Sequence, residues 1–279
     1  AWYPKRTGAE MKVVELLTDV RRPCAFVPTM GALHAGHQSL IRLARELCDE
    51  VVVSVFVNPL QFEDKNDLKN YPRTPERDEE LAREAGATIL WRPTIDQIYP
   101  EDTSRIKAGK VGELFEGIRR HGHFDGVVTV VNRLFDLVQP RYAIFGEKDF
   151  QQLFLIKEMA RRLHPEIEIV PAPTIRETSG LALSSRNVRL TAEGRVVADV
   201  ISRVLHQAAE AESLTDMKEE LAKLGEQSNF ILDYAEVINE QTFDLADDAT
   251  ENKRAIVAGW IDGIRLIDNM AMAKKLVRV

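Results

Sequence analysis

Cysteine is scarce: the 279 residues hold two, Cys24 and Cys48, with no CxxC spacing. That excludes a disulfide framework and a cysteine-rich zinc site, and it suits a reducing cytoplasm. Long apolar runs are missing too. Stretches such as Val51 to Val57 fall far short of the ~20 residues a membrane helix needs, and the N-terminus has no signal-peptide apolar core. The expectation is a cytoplasmic protein, neither inserted in a membrane nor exported. Basic excess is absent as well: the formal net charge is -7, against the positive field of a non-specific nucleic-acid binder. A nucleotide ligand stays open, because a local cluster of cations and backbone N–H groups is enough for a phosphate.

What remains is an ordinary folded composition, 44% hydrophobic and 29% charged. A chain of this length buries about three quarters of its unfolded surface, as one large domain or two smaller ones. From residue 24 to about 172, β-branched runs alternate with helical periods. Ala25-Phe26-Val27 precedes a helical stretch through Leu40, Ala44 and Cys48, and Val51 to Val57 follows as a uniformly apolar strand. Such a strand is covered on both faces, as in a parallel sheet. Thr74-Pro75 opens a helix that Gly86 closes before a strand at Ala87 to Trp91. A helix at Asp125 to Val138, a strand at Tyr142 to Phe145, a helix at Asp149 to Leu163 and a strand at Glu168 to Val170 complete a doubly wound parallel sheet. Beyond Pro171 and Pro173 the texture changes. Helices at Thr191 to Ala211 and Thr215 to Gln227, then strands at Ile231 to Ile238, Arg254 to Trp260 and Ile264 to Ile267, predict a small α+β domain. The expected division is residues 1–175 and 176–279.

In a doubly wound sheet ligands bind beyond the carboxyl ends of the strands. After the first strand, His34 and His37 flank Gly36 where loop becomes helix, so two imidazoles and helix-start N–H groups can face an anion. The competing reading is that both histidines merely cap the helix. Zinc lacks further ligands, since His121, His123, His164 and His206 form no HExxH pattern. Lys148 can meet a phosphate as a point charge while Asp149 caps a helix, and Ser184-Ser185-Arg186 adds hydroxyls and a guanidinium fork. Asn58, Gln61 and Gln152 are amides suited to hydroxyls and a carboxylate, or to loop backbone. No Gly-x-Gly-x-x-Gly, Walker loop or nucleophile elbow is present.

Six ordered segments together resemble the pantothenate synthetase (pantoate–β-alanine ligase) family, within the nucleotidylyltransferases marked by His-x-Gly-His. They are PTMGALHAGH (28–37), FVNPLQF (56–62), YPRTP (71–75), HFDGVVTVV (123–131), FGEKDFQQL (145–153) and GLALSSRN (180–187). The resemblance implies a Rossmann-like catalytic domain and a smaller lid. It implies a ligase that converts pantoate with ATP to pantoyl adenylate and pyrophosphate, then transfers the acyl group to β-alanine and releases AMP. It further implies Mg²⁺ and a homodimer formed through the N-terminal domain.

Carried over by residue, the resemblance places Met30, Gly31, Ala32, Leu33, His34, Ala35, Gly36 and His37 along ATP, with His37 as proton donor. It puts Lys148, Ser184, Ser185 and Arg186 on the phosphates, Gly146 and Asp149 at the ribose, Ile175 by main chain at adenine, and Glu147 and Leu183 also at ATP, Leu183 through its backbone. His34, His37, Lys148 and Arg186 form the catalytic set. Gln61, Gln152 and Asn58 would bind pantoate; Gln61, His123 and Arg120 would bind β-alanine. Two departures stand out. Leu183 replaces a usual Met, and Arg77 stands where relatives often carry a carboxylate, so no protein ligand of magnesium is assigned. Another nucleotidyltransferase, or a nucleotide-binding module without chemistry, are the alternatives.

Overall fold

The computed structural model describes residues 10–272. They form two compact units, one of residues 10–146 with Gln152–Ala172, the other of Glu147–Gln151 with residues 173–272.

The first unit is built on strands β1 (Lys12–Val14), β2 (Cys24–Thr29), β3 (Glu50–Val55), β4 (Ile89–Trp91), β5 (Tyr142–Gly146) and β6 (Glu168–Ala172). They form one parallel sheet in the order β1-β4-β3-β2-β5-β6. Its helices are α1 (Ala35–Leu47), α2 (Lys65–Asn70), α3 (Pro75–Ala85), α4 (Ile95–Ile98), α5 (Glu116–Arg119), α6 (His123–Val138) and α7 (Phe150–Leu163), the last of which begins in the second unit. The chain winds outward from β2 to β4, then returns to lay β5 on the other side of β2. The topological switch point, where α/β sheets bind ligands, therefore lies between β2 and β5.

Local sequence explains these elements. β3 is buried along nearly its whole length because helices cover both faces of the sheet, so its valines need no polar alternation. α3 starts with Pro75 at a position whose missing N–H costs nothing and stops at Gly86, which takes a φ of +100° and donates its N–H to the carbonyls of Ala82 and Arg83. Ile41, Ala44, Val53, Leu81 and Ile144 interlock as the core. At ~1.5–3 kcal/mol per large apolar side chain buried, this packing and not helix propensity stabilises the unit.

In the second unit, β7 (Ile231–Asn239), β8 (Lys253–Ile261) and β9 (Ile264–Ala271) form an antiparallel meander. The tight turn Asp262-Gly263 has positive φ at both residues, 52° and 72°, the twist that two-residue hairpins prefer. Helices α8 (Ala192–Glu210) and α9 (Leu214–Ala222) contribute Ile201, Leu205 and Leu221 to a core shared with Val257 and Leu266.

The expected strands and long helices are present. β1, the helices α2, α4 and α5 and several single 3-10 turns are additional, and the strand after α1 ends at Val55, two residues earlier than expected. β1 is three residues long on a sheet edge and mostly exposed, so it carries no hydrophobic period. Asp149 does not open α7 directly: Glu147–Asp149 form a 3-10 turn that runs into it. No described helix is long and apolar enough to cross a membrane.

Candidate active site

The loop leaving β2 is shaped by one carboxylate. Asp78, on α3 and 1% exposed, accepts the main-chain N–H groups of Ala32 (3.1 Å) and Leu33 (2.8 Å) and the hydroxyl of Thr74 (3.0 Å). Gly31 takes a φ of +84°, and a Cβ there would come within 2.9 Å of the Asp78 carboxylate and 3.0 Å of Val55. The turn thus requires glycine for backbone and for space. Ala32 follows at φ 51°, a strained value for a side-chain-bearing residue, held by its bond to Asp78.

His34 and His37 do cap α1, and the manner of capping defines their chemistry. His34 is the N-cap, and its Nδ1 accepts the N–H of Gly36 at 3.1 Å; Nδ1 of His37 reaches back to accept the N–H of His34 at 3.3 Å. A ring nitrogen that accepts carries no proton, so in both neutral imidazoles the proton sits on Nε2. The ring centroids are 4.2 Å apart. This corrects one expectation: the N–H groups of Gly31, Ala32, Leu33, His34 and Gly36 are taken by Thr29, Asp78 and the imidazoles themselves. The ring Nε2–H groups, more than the helix-start backbone, are what the capping geometry turns into donors.

After β3, Asn58 caps the 3-10 turn Pro59–Gln61, its Oδ1 accepting Leu60 N–H at 3.2 Å. The Tyr99 hydroxyl donates to the same oxygen at 2.7 Å. Burial raises the Tyr99 pKa and keeps the phenol protonated. Asn58 Nδ2 then donates to Gln61 Oε1 at 3.0 Å and to the Gly126 carbonyl at 3.1 Å. Both amides are thereby oriented: Gln61 spends its oxygen on Asn58, and its NH2, without a partner among the described residues, is the group left to donate. The carbonyl of Gln61 meets His123 Nδ1 at 2.8 Å, and a carbonyl only accepts, so the proton of this buried imidazole sits on Nδ1, the opposite tautomer to the other pair. α6 crosses this turn closely enough that a Cβ on Gly126 would lie 2.3 Å from the Leu60 carbonyl oxygen.

Asn58, Gln61 and His123 are thus brought together on one buried cluster. Arg120 closes α5, and its carbonyl accepts His123 N–H at 3.1 Å. Gln152 lies half-buried on α7, and Gly146 ends β5, where a Cβ would touch only Leu40 at 3.9 Å. Protein packing therefore does not demand glycine at 146.

In the second unit, Glu147, Lys148 and Asp149 form the 3-10 turn already described. Ile175 and Leu183 face each other across a small hairpin, Leu183 N–H donating to the Ile175 carbonyl at 2.9 Å. The Ser184 hydroxyl accepts Arg186 N–H at 3.2 Å, and Asn187, buried, donates to the Ala182 carbonyl at 3.0 Å. Arg195 braces the segment through both oxygens of Glu177, at 2.9 and 3.0 Å, and the Asn187 carbonyl. Ser184, Ser185 and Arg186 are half-buried.

A family model described as pantoate-beta-alanine ligase matches residues 6–271. The chain belongs to the pantoate-beta-alanine ligase family. It is 46% identical over 261 residues to the pantothenate synthetase of Acidothermus cellulolyticus, covering 90% of this chain and 86% of that protein. A crystal structure of pantothenate synthetase from Thermus thermophilus superposes with a TM-score of 0.85 at 44% identity, covering 90% of this chain and 93% of that one. A pantoate-beta-alanine ligase from Francisella tularensis, crystallised with beta-gamma ATP and beta-alanine, matches at a TM-score of 0.76 and 33% identity over 94% of this chain and 97% of that one. The fold expected from the sequence, a parallel doubly wound sheet with a smaller α+β part, is the fold of this ligase family.

Sequence reasoning missed Asp78, Tyr99 and Gly126. Asp78 reads as one more acid in a charged helix start; Tyr99 and Gly126 act through neighbours distant in the chain. Arg77, noted as a departure, forms a surface pair with Glu80. Among the described residues no group of three or more His, Cys, Asp or Glu side chains is gathered to hold a metal.

Proposed function

We propose that this protein joins (R)-pantoate to β-alanine, using ATP, through a pantoyl adenylate. The observation that carries the reading is the His34/His37 pair beside the sheet's switch point, each ring capped through Nδ1 so that Nε2 becomes a donor. In the first step a pantoate carboxylate oxygen bonds to the α-phosphorus while the bond to pyrophosphate breaks. In the second, the β-alanine amine bonds to the acyl carbon, the bond to the phosphate oxygen breaks, AMP leaves and the nitrogen gives up a proton. Neither step needs a protein nucleophile. Positioning and neutralisation of phosphate charge supply the acceleration, which is what Nε2–H groups, a lysine and an arginine offer.

In this reading residues 30–37 lie along ATP, with His37 donating to the phosphates beside His34. Lys148, Ser184, Ser185 and Arg186 hold the phosphates; Gly146 and Asp149 face the ribose, with Glu147 also at ATP; Ile175 and Leu183 offer main chain to the nucleotide. The absence of any packing demand at Gly146 supports a ligand-side role for that glycine. The Gln61 amide, turned as a donor by Asn58, suits the pantoate carboxylate, with Gln152 beside it. His123 and Arg120 serve the amine side with Gln61. In this reading Mg²⁺ enters with the substrate, held mostly by the phosphates of ATP, as the ion commonly is. We further assign residues 1–175 as catalytic domain and 176–279 as lid, and a cytoplasmic homodimer, the free thiols Cys24 and Cys48 being in keeping with a reducing compartment.

Omitting each substrate in turn tests the reading. Pyrophosphate release must require pantoate, and AMP release must require β-alanine; pyrophosphate formed equally fast without pantoate refutes it.

A further inference from the structure

Asp268 and Asn269, adjacent on β9, anchor the two segments of the second unit to which phosphate contacts are assigned above. Asn269 is 4% exposed and spends its whole side chain. Nδ2 donates to the carbonyls of Glu147 and Lys148, both at 2.9 Å, and Oδ1 accepts from Arg254 Nη1 at 2.6 Å. A guanidinium only donates, so the amide cannot turn over. Arg254, on β8 and 7% exposed, is fixed in turn. Its Nε donates to Glu240 at 2.7 Å, and its guanidinium lies 4.1 Å over the Phe150 ring, which stacks on the buried Phe243.

Asp268, 5% exposed, takes Arg176 in a two-pronged pair at 2.6 and 2.9 Å and also accepts the N–H of Asn269 at 2.8 Å. Arg176 stands at the root of the hairpin that leads to Ser184, Ser185 and Arg186, and it also binds the Gly180 carbonyl at 3.1 Å. Two neighbouring strand residues thus hold the main chain at Lys148 and the base of the 184–186 segment. A single 3-10 turn has little stability of its own. A lysine acts as a point charge on a flexible stem, so where its backbone sits decides how well it meets a phosphate.

We infer that Asn269 and Asp268 are positioning residues, which set the location of Lys148 and of Ser184–Arg186 for the transferring phosphates without touching the substrate. The inference rests on the assignment of Lys148 and Arg186 to the phosphates, and the test separates the two. The experiment is a double-mutant cycle on pantoate-dependent ATP–pyrophosphate exchange, using Lys148→Ala, Asn269→Ala and the pair, with far-UV circular dichroism as a check on folding. Lys148→Ala alone should cost at least about a hundredfold in kcat/KM for ATP; little loss there overturns the phosphate assignment itself.

With that loss in place, Asn269→Ala should cost about tenfold or more in the parent background but less than about twofold once Lys148 is gone, with the KM for pantoate unchanged in both. Independent, multiplying losses make Asn269 a purely structural residue and overturn the inference. Asn269→Asp, which keeps the volume and turns an oxygen toward the two carbonyls, replaces the alanine variant should that fail to fold. Asp268→Asn should couple in the same way to Arg186→Ala.

Discussion

At the scale of the residue, the geometry by which His34 and His37 cap α1 also sets which ring nitrogen of each carries the proton. Each ring gives Nδ1 to a backbone N–H, and that bond assigns the proton to Nε2. Cap and donor separate in a substitution. Asn places its Oδ1 the same number of bonds from the backbone as Nδ1 of His, so His37→Asn keeps the cap and removes the distal donor. We expect kcat/KM to fall by about 100- to 1,000-fold, the ~2.7–4 kcal/mol of a lost transition-state donor, with the melting temperature within about 2 °C of the parent. Steady-state kinetics beside calorimetry checks this; unchanged turnover removes His37 from the chemistry. The motif was legible in the sequence. The tautomer was not, since it depends on which backbone N–H groups the fold places against each ring.

At the scale of the element, the crossing of α6 over the Pro59–Gln61 turn fixes the amide cluster. Gly126 is required there because any Cβ would meet backbone, 2.3 Å from the Leu60 oxygen, and backbone cannot rotate aside. Gly126→Ala should destabilise the fold by ~1–3 kcal/mol, as overpacking does, and displace the turn that carries Gln61. The expected result is a several-fold or larger rise in the KM for pantoate with the KM for ATP much less affected. Equal rises in both KM values count against a local effect. The helix itself was readable from its valines at helical spacing, whereas the Pro59–Gln61 turn was not among the expected elements. Their contact joins residues 68 positions apart, as the Asn58–Gly126 bond shows, and no local pattern encodes it. α3 gives the same lesson: its start and stop were plain in Pro75 and Gly86, whereas the use of Asp78 to clamp the 30–33 loop was hidden among acidic neighbours.

At the scale of the whole molecule, the first unit's core holds Cys24 and Cys48 as reduced, buried thiols. Burial lifts the Cys24 pKa from 9.0 to about 11, and that of Cys48 in the same direction. A raised pKa means the folded state prefers the neutral thiol. The associated stability is therefore intact below pH 9 and is lost as pH climbs from there toward 11, by at most about 1.4 kcal/mol per pH unit for one group. Urea unfolding at about pH 8 and about pH 10.5 should show a larger drop for the parent than for Cys24→Ala. Equal drops assign the alkaline loss to other groups.

The amino-acid sequence by itself determined the doubly wound architecture, the order of its main elements and the family, because these follow from hydrophobic period, turn residues and six contiguous segments read locally. Only the tertiary structure decided the proton positions on His34, His37 and His123, the direction of the Gln61 amide, and the anchoring of the Glu147 and Lys148 carbonyls by Asn269. Each of those is set by hydrogen-bond partners that the fold supplies, some of them more than a hundred residues away in the chain, where neither propensity nor spacing carries information.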